Sequence, residues 1–112
     1  MAMFGGMDKL LGPMIERFRR ELETARAELR EATVEATAGG GMVQARANGE
    51  GELLEVKFSA EVLEGADAEM LQDLVVAAVR EVQDKAKQLK AERLGGLFSG
   101  MEAFGIDISA IL

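Results

Sequence analysis

With 112 residues, no Cys, no His and a formal net charge of −7, the chain is expected to form one domain with a small core. It has no disulfide framework or thiolate metal site and lacks the commonest general base and pH switch, so neither an enzyme nor a cofactor is expected. Its hydrophobic fraction is 48% yet only five residues are aromatic, all Phe, a composition that suits aliphatic helices packed on a sheet, and its acidity repels a polyanion unless basic residues are segregated on one surface.

Residues 1–12 are rich in Met and Gly and read as a loose arm, with Gly12-Pro13 punctuating the start of a helix. Pro13 suits a first turn, where its missing N–H has no partner to lose. The arm lacks the basic n-region of a signal peptide. No apolar run approaches the ~20 residues that cross a bilayer, so a soluble cytoplasmic protein without a membrane partner is expected. From Met14 to about Glu31 the pattern is helical: Leu11, Ile15, Phe18, Leu22, Ala25 and Leu29 recur at spacings of 4, 3, 4, 3 and 4, a heptad-like seam. So narrow a stripe on a charged helix is half of a helix pair, or belongs to a helix that lies partly on a sheet and partly beyond it.

Strands are expected near 33–37, 42–48 and 52–58. The first is carried by β-branched residues and broken by Ala38-Gly39-Gly40-Gly41. In the others, Val43, Ala45 and Ala47 alternate with Gln44, Arg46 and Asn48, and Leu54, Val56 and Phe58 alternate with Glu55 and Lys57. Asn48-Gly49 between them predicts a tight turn with positive φ, and Gly51 a further permissive position that absorbs a bulge. The result is a three-stranded antiparallel meander whose open edges invite a second copy of the chain.

Residues 59–66 read as a connection, and Asp67 as the N-cap of a second helix opening Ala68-Glu69-Met70. Leu71, Leu74, Val75, Ala78, Val79, Val82, Ala86 and Leu89 give it a face broad enough to lie across the sheet, and Gly95-Gly96 is its expected stop. Residues 97–112 then read as a flexible apolar tail outside a domain of residues 1–96, available to dock on a partner protein.

Two basic surfaces stand out. At about 100° per residue, Arg19, Arg26 and Arg30 share one flank of the first helix within roughly 40°, placed to straddle duplex phosphates with forked, permanently charged donors. Glu23 on that flank offers Arg19 and Arg26 partners at i,i+4 and i,i+3, and the residues alone favour an ion-paired, solvated surface. On the second helix Arg80, Gln83, Lys87 and Lys90 share the outer face, with Asp84 placed to bond Arg80 and Lys87; Lys85, Lys87, Lys90 and Arg93 also complement a helix C-terminus. Glu50, Glu52, Glu55, Glu61 and Glu64 lack the ligand spacing of a cation site and read as solvated surface. Gly39-Gly40-Gly41 is a turn rather than a phosphate cradle.

The order of parts is informative as a whole: MFGGM, a charged helix, Gly41-Met42-Val43 leading a strand, Asn48-Gly49 at a turn, Val56-Lys57-Phe58 closing the third strand, and Glu69-Met70-Leu71-Gln72-Asp73-Leu74-Val75 opening a helix that continues through Ala77-Ala78. From Met3 to about Gly100 the chain resembles the YbaB/EbfC family of bacterial nucleoid-associated proteins. The resemblance implies an α+β subunit, helix, three-stranded sheet, helix, that forms a tweezers-like homodimer. It also implies binding to duplex DNA with limited sequence preference, an effect on nucleoid organisation or gene expression, and no enzymatic activity. Where members commonly carry Asp-Pro after the third strand this chain has Ser59-Ala60, which is expected to loosen the turn. The family's DNA contacts are attributed to charged helix residues, which here are Arg19, Arg26, Arg30, Arg80, Lys87 and Lys90. The rival expectation is a dimeric interaction scaffold with little nucleic-acid affinity. Net charge favours it, although residues 8–31 carry six acidic and six basic side chains against six and two in 32–66, so the helices are the less repulsive surface.

Overall fold

A computed structural model describes residues 5–65 and 67–102. Its elements are α1 (Gly5–Glu31), β1 (Thr33–Ala38), β2 (Val43–Asn48), β3 (Leu53–Phe58), the short α2 (Ala60–Gly65) and α3 (Ala68–Glu102). The strands form an antiparallel sheet in the order β1-β2-β3, which is the expected meander between two long helices.

The central strand sets the core. Val43, Ala45 and Ala47 are buried toward α3 and Gln44 and Arg46 turn the other way, the two-residue period read from the sequence. Val34, Ala36 and Ala38 on β1 extend the same face, and α3 lays Leu71, Leu74, Val75, Ala78, Val79 and Val82 across it. The small side chains of Ala36, Ala45, Ala47 and Ala78 let the helix and sheet backbones approach closely. Asp67 caps the helix as expected: its Oδ1 accepts from the Met70 N–H at 2.7 Å.

Beyond the sheet α3 pairs with α1. Leu29, Leu94 and Phe98 are buried, with Phe18, Leu22, Ala25, Leu89 and Leu97 packed around them, and the Phe18 and Phe98 rings meet edge to face at 5.9 Å. α1 runs toward the sheet and α3 away from it, so the seam forms one half of an antiparallel two-helix arm. The molecule is accordingly 73 Å long and only 22 by 19 Å across.

Arm and sheet are joined at the β2–β3 turn. The Gly49 N–H donates to the Leu29 carbonyl at 2.7 Å and to that of Ala32 at 3.0 Å, supplying a donor that the last turn of α1 lacks. A Cβ on Gly49 would lie 2.7 Å from the Leu29 oxygen, so glycine is required there for space. Here the structure corrects the tight turn read from Asn48-Gly49: neither residue has positive φ, and the left-handed position is Gly51, at 91°. The turn is longer because the Asn48 side chain closes it. Its Oδ1 accepts from the N–H groups of Glu50 and Glu52, both at 3.0 Å, and its Nδ2 donates to Glu52, an Asx-type arrangement. After the turn the register slips: Arg46 pairs with Glu55 but Ala47 with Leu53. Leu54 is therefore the extra residue of a bulge, and Leu53 rather than Leu54 shares the face of Ala47 and Val56.

Three further expectations are corrected. The first helix begins at Gly5, with Pro13 inside it; a proline φ is helical, and the carbonyl that loses its donor lies on an exposed stretch open to solvent. The connection at 59–66 contains α2, capped by Ser59, whose Oγ accepts from the Val62 N–H at 3.3 Å and whose own N–H bonds the Met42 carbonyl at 2.8 Å. Ser59-Ala60 therefore organises this turn instead of loosening it. Finally, α3 does not stop at Gly95-Gly96 but runs to Glu102. Two interior glycines cost a helix about 1 kcal/mol each, less than is recovered by burying Leu94 and Phe98 against α1. The first six residues of the expected tail thus belong to the arm, and residues 103–112 lie outside those described.

Candidate nucleic-acid interface

The continuation of α3 changes what its basic residues are for. Arg93 stands nine residues before the helix end at Glu102 and Lys85, Lys87 and Lys90 further still, whereas the helix dipole acts within the last turn. Complementing a C-terminus is therefore not their role. Lys85 Nζ instead donates to the Glu35 carbonyl on the outer edge of β1 at 2.9 Å. Arg93 bonds Glu28 across the arm at 2.7 Å, and Lys90 Nζ lies 3.6 Å from a Glu50 carboxylate oxygen. Arg80 and Lys87 are exposed and have no ion-pair partner among the described residues; Asp84, expected to bond both, bonds neither.

On α1, Arg19 is bound by Glu16 at 2.9 and 3.1 Å, not by Glu23, although both carboxylates lie one turn away. Arg17 pairs with Glu21 at 3.1 Å. Such exposed pairs contribute about 0–1 kcal/mol. Arg30 is exposed and unpaired among the described residues, while Arg26 keeps a shielded Nε without a partner. The sheet face away from α3 is internally balanced: Arg46 lies beside Glu55 at 3.6 Å, Lys57 beside the same carboxylate at 3.5 Å, and Gln44 donates to Glu35. Among the described residues no cluster of His, Cys, Asp and Glu is placed to hold a metal ion, and no helix is long and apolar enough to cross a membrane.

Two clefts gather polar groups. One of about 610 Å³ lies between the β2–β3 turn and α3 and is lined by Glu50, Gln83, Lys87 and Lys90. The other, about 340 Å³, runs between α1 and α3 beside Arg20, Glu28 and Arg93. Tertiary structure thus brings Lys87 and Lys90 together with a turn far from them in sequence, while neither cleft is lined by Arg19, Arg26, Arg30 or Arg80. Arg20 was not singled out from the sequence, and Arg93 only as a complement to a helix C-terminus. The available signal was that a seam paired with a second helix has two flanks, each forming a groove.

Residues 3–101 match the family model described as the YbaB/EbfC DNA-binding family. The chain is 43% identical over 105 residues to a nucleoid-associated protein of Bacillus thuringiensis (strain Al Hakam), covering 92% of this chain and 96% of that one. It is 49% identical over 79 residues to a nucleoid-associated protein of Geobacillus sp. (strain WCH70), covering 70% and 73%. In fold it is similar to the crystal structure of an uncharacterized protein, HP0035, from Helicobacter pylori, with a TM-score of 0.71 at 22% identity over 79% of this chain and 92% of that chain.

Proposed function

The chain belongs to the YbaB/EbfC DNA-binding family, and from that premise we propose a non-enzymatic, homodimeric nucleoid-associated protein of the cytoplasm that grips duplex DNA through phosphate contacts from α1 and α3. The observation that carries this reading is the distribution of available cations. Arg30, Arg80 and Lys87 lie exposed on the two long helices without ion-pair partners among the described residues, while the acidic middle segment neutralises its own Arg46 and Lys57. Arg19 and Arg26 join them once phosphate displaces their weak or incomplete partnerships, while Lys90 stays beside Glu50. Binding is then driven mainly by counterion release, and log affinity falls with log salt by about 0.9 per phosphate neutralised. Replacing Arg30, Arg80 and Lys87 by Ala is expected to flatten that slope by about one per residue, with little change in melting temperature. A mobility-shift titration of the wild type that shows no salt dependence overturns the reading.

Dimerisation is supported by the uncovered side of the sheet. α3 lies over β1 and β2 and leaves Leu53, Leu54 and Phe58 on β3 between 40% and 49% exposed, with Leu63 on α2 at 68%. The opposite edge is less open to a second strand because Lys85 holds a β1 carbonyl. The β3 side is therefore the surface offered to a second copy, and Phe58→Asp is expected to shift light scattering toward the 12.0 kDa monomer. A wild type that is itself monomeric at micromolar concentration defeats this part. The scaffold reading is favoured by one observation, the exposure of Met14 and Ile15 on the outer arm; it stands if the purified dimer fails to shift DNA even at low salt.

A further inference from the structure

Resting on the DNA-binding reading above, we propose that Glu50 is a built-in competitor for phosphate, held by the β2–β3 turn against Lys90 so that this lysine is withheld from DNA. Asn48, 5% exposed, accepts the backbone N–H of Glu50 itself, and Gly49 is bonded to the end of α1. The backbone that carries the carboxylate is thus fixed from both sides. One Glu50 oxygen lies 3.6 Å from Lys90 Nζ, and the other is shielded from solvent without a hydrogen-bond partner. A tight bidentate pair would be slow to yield. A long, singly engaged contact with an unsatisfied oxygen instead releases the lysine once the carboxylate charge is removed, at little cost to the fold, because a buried carboxylate oxygen without a donor costs free energy. The adjoining cleft is open and carries Lys87 and Gln83, so an incoming phosphate meets one free cation and one restrained cation, with Glu50 opposing entry.

The test is a double-mutant cycle read as the salt dependence of duplex binding. Glu50→Gln is expected to raise affinity about fivefold at physiological salt and to steepen the slope of log affinity against log salt by about 0.9, the value of one further phosphate contact. Lys90→Gln alone is expected to leave the slope near that of the wild type, since its charge is already taken, and in the Glu50→Gln background it should remove the gain. Glu61→Gln on α2 changes net charge equally and should not steepen the slope. If the wild type binds with a salt slope that Glu50→Gln leaves unchanged, or if Lys90→Gln alone loses about 0.9, this inference falls while the DNA-binding reading survives. Absence of binding by both wild type and Glu50→Gln at low salt overturns both.

Discussion

Along α3 the first half, from Leu71 to Ala86, and the second, from Leu89 to Phe98, bury apolar side chains by different means. The first spreads Leu, Val and Ala over a sheet whose facing residues are mostly Val and Ala, so burial is broad and the backbones are close. The second meets a single helix along a narrow seam and relies on large side chains, Leu29, Leu94 and the Phe18–Phe98 pair. A broad face is held by many residues at once and opens with the whole domain, whereas a two-helix seam with exposed flanks opens locally. The platform is therefore the rigid part of the molecule and the arm the part able to adjust to a ligand, and the β2–β3 turn couples them.

That contrast can be broken at the joint, where the largest effect is expected. Gly49→Val places side-chain atoms against the Leu29 carbonyl, which, being backbone, has little room to give. The variant should lose about 3 kcal/mol or more, with reduced amide protection on both sides of the turn in denaturant unfolding at fixed protomer concentration. Leu94→Ala sharpens the contrast instead: a loss of about 2–3 kcal/mol read mainly as faster hydrogen exchange along α1 and residues 89–102, with β1 and β2 still protected. If the sheet loses protection equally, the two halves of α3 are not separable. A gain is expected from Gly96→Ala, because a Cβ there meets nothing within 4 Å and the helix interior prefers Ala by about 0.8–1 kcal/mol; exchange should slow in the arm alone. The smallest effect belongs to Glu28→Gln, which removes the exposed bond to Arg93 and should change stability by about 0.5 kcal/mol or less, against roughly tenfold larger penalties if that pair held the arm together.

The meander, the seam, the Asp67 cap and the broad face of α3 were legible because each is a local pattern whose spacing alone says which side is apolar. The basic flank of α1 was legible in the same way, but the partners of its members were not, since Arg19 had carboxylates on both sides and only the packed conformation selects Glu16. Reading Gly12-Pro13 and Gly95-Gly96 as boundaries failed for a related reason. A local breaker costs little, and the energy that overrules it at Gly95-Gly96 comes from Phe18, Leu22 and Leu29, far away in the chain.

The amino-acid order by itself determined the three strands, the two long helices, the apolar faces of all but β3, and the absence of Cys and His, because these depend on residue identity and on neighbours within a turn or two. Only the tertiary structure decided that Gly49 must approach Leu29, that Leu54 bulges out of register, and that Glu50 meets Lys90. Those are contacts between residues distant in sequence or shifts of strand register, and no short-range periodicity encodes which distant groups are brought within a few ångströms of one another.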